Sequence, residues 1–467
     1  MNTDQDLPRN IINPLSKPEN VFLLLAVVFG LIFVFATPPA LVGDEPNHFF
    51  RAYQISDGII IGEKRDNLSG GWIPKSVLYT NQKFVGNIEM NRDVKFDTNL
   101  FSEMIRLPLN HEDRVFERFP NTVVYNPIPY APQVLGIIVG KIFDASPLLM
   151  IYLARIFNLL FFTFLAFFAI KKTPVQKWIF CLLCLTPTNV FQVASASIDA
   201  FTYGICFLTI AYFLYFAFEE NSELKNVDIV KLFVLSLLAV LSKNAYIFLP
   251  LLFVLIPRRK FGSTRTFLTA FFTLFIVSVG SVIAWSYVIK SIYLPYRIDM
   301  PMSPAEQAAF ILSQPFNFIR MVITDYIFNF RFYFDSFFGQ LTWLDLYVPT
   351  VLPVFIFVVL MFVALLDKNL TVNVTKSSKF IFVAIIVGTA FVISALLYMS
   401  WSPIRGEVIE GIQGRYFIPV APLFFLLFYN RKLNWKNFNR YADKIVYITV
   451  IVSLIITLHS IVKRYYI

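Results

Sequence analysis

Long apolar stretches alternate with short polar ones from Val21 to the end of the 467-residue chain. A helix needs about 20 apolar residues to cross the hydrocarbon core of a bilayer, and several stretches reach or approach that length. Their continuous apolar character is typical of membrane-spanning helices. The pattern predicts an all-α polytopic membrane protein of about 11 transmembrane helices, at 21–42, 148–170, 178–192, 200–218, 229–241, 246–257, 266–290, 347–366, 380–401, 415–430 and 445–462.

Basic residues give these spans an orientation, because Lys and Arg of short loops stay on the cytoplasmic side. With the N-terminus inside, the basic clusters all fall on that side: Lys171, Lys172 and Lys177; Arg258, Arg259 and Lys260; Lys368, Lys376 and Lys379; and Arg431, Lys432, Lys436 and Arg440. This agreement requires that the short apolar piece 131–143 be an interfacial or re-entrant helix instead of a full crossing.

The predicted orientation places two large loops outside the cytoplasm. The chain then divides into a cytoplasmic N-terminus at 1–20, a first transmembrane helix at 21–42, an extracytoplasmic loop with interfacial or re-entrant helices at 43–147, a transmembrane bundle at 148–290, a second extracytoplasmic loop at 291–346 and C-terminal transmembrane helices at 347–467.

Composition agrees with this class. Hydrophobic residues make up 57% of the chain and charged residues only 15%, against about 25% charged in a typical soluble domain. The net charge of +10 is explained by cytoplasmic loops and anionic lipid headgroups, and no nucleic-acid partner is expected. Cys181, Cys184 and Cys206 lie in apolar stretches, which favours simple packing over thiol chemistry.

A dense polar group follows the first predicted span directly. Asp44 and Glu45 are adjacent acids, His48 comes four residues after Asp44, and Arg51 follows three residues later. One interpretation is the start of an interfacial helix that Asp44 caps. Capping explains one acid only, so the group as a whole indicates a functional site at the outer end of the helix.

Other polar residues fall at the same predicted face. Asp199 lies at an outer helix junction, and Lys243 breaks a short apolar hairpin. Gln413, Arg415 and Tyr416 lie in the stretch 405–419 that joins two late spans at their outer ends. Lys243 either extends its ammonium toward water or binds a phosphate.

Arg155 lies inside a predicted span. There it either pairs with a neighbouring helix or serves function directly.

These side chains suit the transfer of a group from a lipid phosphate. One carboxylate can remove a proton from an acceptor hydroxyl, while Lys or Arg stabilises the departing phosphate. A donor delivered from the bilayer also explains why the chain is so apolar. Asp44, Glu45 and His48 are too few ligands to predict a metal site.

The chain resembles a known family at these positions. The motifs are Asp44-Glu45-x-x-His48 with Arg51-Ala52-Tyr53, Ser195-x-Ser197-x-Asp199, Lys243, and Gly411-x-Gln413-Gly414-Arg415-Tyr416-Phe417. They resemble a bacterial family of polytopic membrane proteins, formerly of unknown function, that is grouped with the GT-C superfamily of glycosyltransferases using polyprenyl-phosphate sugars.

The resemblance implies a GT-C-like bundle and a set of roles. Asp44 is the first choice for the catalytic base and Glu45 the second. Lys243 and Arg415 are expected to contact the donor phosphate, and Arg51 and Arg155 are further candidates. His48, Asp199, Gln413 and Tyr416 complete the expected substrate-binding set. Some members of the superfamily use a divalent metal and others do not, so the cofactor is left open.

The resemblance also implies partners and a location. We expect a polyprenyl-phosphate-linked sugar donor, a glycan or lipid-linked acceptor, and a multi-pass protein of the bacterial cytoplasmic membrane whose site faces the periplasm or cell exterior. One alternative is a transporter or flippase for a lipid-linked saccharide, which would place its polar features near the bilayer midplane. Another is a glycan polymerase or ligase. The sequence leaves the oligomeric state undetermined.

Overall fold

A computed structural model describes residues 16–86, 88–89, 91–297, 300–433, 435 and 438–467 of the chain. Residues 1–15 of the predicted cytoplasmic segment and Lys436 of the last basic cluster lie outside the described residues.

Helices dominate the described residues. In chain order the α-helices are α1 (Pro18–Ala36), α2 (Glu45–Ser56), α3 (Lys75–Val85), α4 (Asn99–Met104), α5 (Pro120–Val123), α6 (Ala131–Ile142), α7 (Pro147–Lys172), α8 (Lys177–Cys184), α9 (Pro187–Val193), α10 (Asp199–Phe218), α11 (Asn226–Ser242), α12 (Thr264–Ile289), α13 (Pro304–Ser313), α14 (Pro315–Phe328), α15 (Phe330–Phe338), α16 (Val351–Leu366), α17 (Lys376–Trp401), α18 (Ala421–Leu426) and α19 (Phe438–Tyr465). Short 3₁₀ helices lie at Ile128–Tyr130, Asn244–Tyr246, Leu249–Leu255, Arg258–Phe261 and Gly414–Val420.

Six helices in the described part of the chain are long and apolar enough to cross a bilayer: α1, α7, α10, α12, α17 and the Arg440–Tyr465 part of α19. The predicted count of eleven is not confirmed. Pro187 divides the predicted span 178–192 into α8 and α9, and Pro250 and Pro419 lie in 3₁₀ segments where two further spans were expected. Proline lacks the N–H that a continuous α-helix requires, which accounts for these interruptions.

The two loop regions that the sequence set apart are folded. Region 43–147 carries α2 to α6 and an antiparallel sheet of β1 (Glu63–Arg65), β2 (Leu68–Pro74) and β3 (Arg114–Arg118), with β2 in the middle. The second region holds α13 to α15 and a hairpin of β4 (Gln340–Leu341) and β5 (Leu346–Tyr347). The 12 residues of α6 form the short helix predicted near 131–143.

A buried ion pair joins the first helices of the bundle. The α1 helix and α10 both pack against α7, and Arg155 of α7 makes a two-bond contact with Glu45 at 2.7 and 2.6 Å. The other guanidinium hydrogens are donated to the carbonyl groups of Val34, Thr37 and Pro38 at 2.7 to 2.9 Å. All five donors of the guanidinium are therefore satisfied at the C-terminal end of α1.

The same pair reaches the segment before α10. Glu45 also accepts a hydrogen bond from the backbone N–H of Ala196 at 2.8 Å. One turn along α7, Asn158 donates to the carbonyls of Ser195 and Ser197 at 2.8 and 2.9 Å. Asp44 and Asp199, which flank these contacts in the chain, are thereby brought to one place.

Removing one partner of this pair is predicted to destabilise the whole protein. Arg155→Met leaves the Glu45 carboxylate buried without a cation, which typically costs about 3–5 kcal/mol. We expect a strongly lowered melting temperature in detergent and poor recovery of monodisperse protein. The control is Arg331→Met, which breaks an exposed Arg331–Asp335 pair and should leave melting nearly unchanged. Wild-type melting of Arg155→Met would contradict a structural role for the pair.

Candidate functional site

Asp44 stands at the turn between α1 and α2. Its φ of 64° lies in the left-handed region, which is uncommon for a residue other than glycine but is tolerated by Asp. Asp44 occupies the N-cap position of α2, as expected for a helix start, but its side chain makes no capping hydrogen bond to the helix. Instead, one carboxylate oxygen accepts a hydrogen bond from Asn121 at 3.0 Å. The other lies 3.6 Å from the Arg415 guanidinium.

Asp199, Lys243 and Arg415 form a charged cluster beside Asp44. The Lys243 ammonium lies 2.5 Å from one carboxylate oxygen of Asp199. The Arg415 guanidinium lies 3.9 Å from the other oxygen of Asp199, so this arginine faces both acids. Together with Asp44, the cluster contains two acidic and two basic side chains, so its formal charge is near zero.

The position of Arg415 depends on an unusual backbone. The Gly414–Val420 segment is a 3₁₀ helix, and a Cβ added to Gly414 would lie 1.9 Å from the carbonyl oxygen of Tyr333. Only glycine fits this close approach. The N–H of Gly414 donates to Ser336 at 2.8 Å. The hydroxyls of Tyr203 and Tyr246 donate to the carbonyls of Arg415 and Tyr416, at 3.3 and 3.1 Å.

Asp44 and His48, which lie outside the candidate spans, have shifted pKa values. Burial raises the pKa of Asp44, and the Arg415 cation opposes part of that rise. A carboxylate of this kind is a stronger base than an exposed one. Burial lowers the pKa of His48 to about 3, so its imidazole is neutral near pH 7. It shares a hydrogen bond of 2.9 Å with the hydroxyl of Tyr130.

Two cavities meet at this cluster. The first, of about 260 Å³, contains Asp199 and Lys243 and has an apolar wall from α12 and α17, formed by Ile289, Ile393, Leu396 and Leu397. The second, of about 470 Å³, extends past Trp343 and Trp401. Asp44, His48, Arg415 and Tyr416 line both cavities. A group bound in either cavity would therefore be close to Asp44.

Seven of the ten predicted site residues line these cavities. Gln413 belongs to the second cavity only. Glu45, Arg51 and Arg155 are absent from both linings. Glu45 and Arg155 are consumed by their mutual pair, and Arg51 is fully buried, where it donates to Gln54 and to the carbonyl of Ile60.

The sequence prediction missed several neighbours of Asp44. Asn121 and Tyr125 come from the polar region between β3 and α6, Trp285 comes from the end of α12, and Trp343 comes from the turn between β4 and β5. Asn121 is oriented by Asn47, whose side chain donates to it at 2.8 Å. Asn47 lies only three residues after Asp44 in the chain, and nothing in the sequence distinguishes it as the residue that orients Asn121.

No group of three or more His, Cys, Asp or Glu side chains that could hold a metal ion occurs within the described ranges. The positive charges of the cluster belong to Lys243 and Arg415.

A family model described as "Predicted membrane protein (DUF2142)" matches residues 27–424. The chain belongs to this family of predicted membrane proteins. No curated protein and no solved structure matches it.

The DUF2142 match includes the whole candidate site. It begins inside α1 and ends inside α18, so Asp44, Asp199, Lys243 and Arg415 all fall within it. Helix α19 follows the matched region. With the family established, the apolar helices of this DUF2142 protein are membrane helices in contact with the lipid bilayer.

Proposed function

We propose that this DUF2142 protein is an integral-membrane glycosyltransferase of the GT-C type, which moves a sugar from a polyprenyl phosphate to a glycan or lipid-linked acceptor. The observation that carries the proposal is the position of Asp44. Its carboxylate lies between two cavities and beside the Arg415 cation, 3.6 Å away. A base placed between two substrates, next to an anion-binding group, is what this reaction requires.

The first cavity supplies a place for the donor. Lys243 and Arg415 provide positive charge for the phosphate, and the side chains of α12 and α17 provide an apolar wall for the lipid. In the unliganded protein Asp199 neutralises Lys243 at 2.5 Å. A donor phosphate takes over part of that contact and leaves Asp199 to orient the ammonium.

In the proposed reaction the acceptor hydroxyl oxygen attacks the anomeric carbon of the donor sugar. The bond between that carbon and the phosphate oxygen breaks, and its electron pair leaves with the polyprenyl phosphate. The hydroxyl proton passes to the Asp44 carboxylate. Lys243 and Arg415 stabilise the charge that develops on the phosphate. Phosphate is a good leaving group, so the leaving oxygen needs no second carboxylic acid.

The topology proposed with this function is a GT-C-like bundle of about 11 crossings in the bacterial cytoplasmic membrane, with the site facing the periplasm or cell exterior. The helix ends support a common face. Asp44 follows α1, Asp199 begins α10, Lys243 follows α11, and Trp401 ends α17. A transporter or flippase would leave the bond between sugar and phosphate intact, so release of polyprenyl phosphate separates the two functions.

Replacement of the proposed base is predicted to abolish transfer. Asp44→Asn keeps the size of the side chain but cannot accept the proton, and loss of a general base typically lowers the rate about 10²–10⁴-fold. The assay incubates purified protein in lipid nanodiscs with polyprenyl-phosphate sugars and measures the released polyprenyl phosphate. Asp66→Asn is the matched control, because Asp66 is an exposed Asp with a similar left-handed φ of 51°. Full activity of Asp44→Asn would refute the mechanism.

The pH profile tests the same carboxylate differently. Transfer requires ionised Asp44, and burial raises its pKa, so kcat/KM should fall as the pH decreases, with a midpoint above that of an exposed aspartate. The hydrogen bond from Asn121 lowers this pKa. Asn121→Ala should therefore move the midpoint to higher pH. A midpoint unchanged by Asn121→Ala, or shifted to lower pH, would argue against Asp44 as the titrating base.

The phosphate contact of Lys243 is predicted to appear in the donor kinetics. Lys243→Ala removes a charge-assisted contact, which should lower kcat/KM for the donor by about tenfold or more. Lys231→Ala is the control, since Lys231 forms an exposed pair with Asp228 at 3.1 Å. If Lys243→Ala has the kinetics of the control, Lys243 has no part in donor binding.

A further inference from the structure

The second cavity is lined by aromatic and acidic side chains that the proposed donor does not require. Tyr293, Tyr296, Trp343 and Trp401 line it together with the carboxylate of Glu89. The rings of Tyr296 and Trp401 stack at 5.1 Å between centroids. Aromatic side chains with polar atoms bind amphipathic ligands, because one part of the ring is apolar and another donates hydrogen bonds.

Two neutral donors of this cavity, besides the charged Nε of Arg415, have no hydrogen-bond partner among the described residues. The indole N–H of Trp343 and the hydroxyl of Tyr293 are buried atoms without a hydrogen-bond partner in the described part of the chain. A buried donor left unpaired costs about 1–3 kcal/mol, so such groups normally find a partner. Both belong to the lining of the second cavity, where a ligand can satisfy them.

The turn that carries Trp343 is fixed in place. Thr342 and Leu344 both have left-handed backbone, with φ of 60° and 65°. The next residue, Asp345, forms a buried pair with Arg464 of α19 at 2.9 Å. The turn also lies against the segment before Asp44, because a Cβ added to Gly43 would lie 2.8 Å from the carbonyl oxygen of Thr342. Trp343 therefore has a defined position relative to the proposed base.

The charges of the cavity disfavour an acidic ligand. Arg415 is the single Lys or Arg among its described lining residues, and it already faces Asp44 and Asp199. Glu89 adds a further carboxylate; burial raises its pKa, and the charges of Asp44 and Asp345 raise it further. Carboxylates accept hydrogen bonds from hydroxyl groups but repel phosphates and uronates.

We infer that the second cavity binds a neutral saccharide of the acceptor, with one sugar ring against Trp343 and its hydroxyls hydrogen-bonded to the Trp343 indole and to Tyr293. The inference rests on the proposed function, because it identifies this cavity as the acceptor site. Sugar rings match the cavity: their C–H faces are apolar, and their hydroxyls both donate and accept hydrogen bonds.

Binding without donor tests this inference apart from transfer. Full-length protein in lipid nanodiscs, free of glycoside detergents, is titrated with maltotriose, mannotriose and rhamnotriose, and with tri-glycerol phosphate and a glucuronate trisaccharide as anionic probes. The readout is tryptophan fluorescence. We expect at least one neutral trisaccharide to change the emission saturably and the anionic probes to bind at least about tenfold more weakly. Trp343→Phe and Tyr293→Phe should each weaken that binding about tenfold, and Trp435→Phe, outside the cavity, should not.

The possible failures are distinguishable. Tighter binding of an anionic probe, or no response to any neutral probe, would overturn the inference. If the protein shows transfer activity, an acceptor KM that is unchanged by Trp343→Ala would also overturn the inference. A third outcome is that the protein binds the neutral saccharide but releases polyprenyl phosphate from no donor. That result would support the binding site and refute the proposed reaction.

Discussion

The contact between Glu45 and Arg155 determines where the two acids of the candidate site, Asp44 and Asp199, lie. A guanidinium inside a helical bundle is stable only when all its donors are paired, and Arg155 achieves this with Glu45 and three carbonyls at the end of α1. Glu45 in turn holds the backbone at Ala196. Three segments distant in the chain, at 34–45, Arg155 and Ala196, are thus joined at one point. The residues next to that point, Asp44 and Asp199, line a common cavity.

The side chains of the two adjacent acids, Asp44 and Glu45, consequently lie in different surroundings. Glu45 begins α2 and turns into the bundle, where it is 1% exposed. Asp44 precedes it with left-handed backbone, and its side chain turns to the cavities, where it is 33% exposed. The cluster around Asp44 is self-neutralised, since Lys243 and Arg415 face Asp199 and Asp44. Under the proposed function, a donor phosphate competes with these internal acids for the two cations, so its binding and the basicity of Asp44 are coupled.

The sequence predicts much of the candidate site because charged residues are conspicuous beside apolar helices. Asp44, Asp199, Lys243 and Arg415 were all selected for that reason, and the structure brings them together. The same reasoning placed Glu45, Arg51 and Arg155 in the site, because a side chain's partner is invisible in a single sequence. Asn121 and Trp343 were missed since they belong to polar regions in which such residues are ordinary. The helix count was predicted from the length of the apolar stretches. Three of those stretches contain a proline that interrupts the α-helix, namely Pro187, Pro250 and Pro419.

The interrupted helix at Gly414–Val420 also explains how the Arg415 side chain reaches the cavities. In a membrane protein, backbone that departs from the α-helix is tolerated where other protein groups satisfy its polar atoms or where it lines a cavity. The Gly414–Val420 segment meets both conditions: Ser336, Tyr203 and Tyr246 bind its polar atoms, and Arg415 and Tyr416 line the cavities. Because Tyr246 follows Lys243 by three residues, its bond to the carbonyl of Tyr416 also fixes the two cations relative to each other. A regular helix through this segment would need no such partners, but it would free Tyr246 from Tyr416 and remove the constraint that keeps both cations beside Asp199.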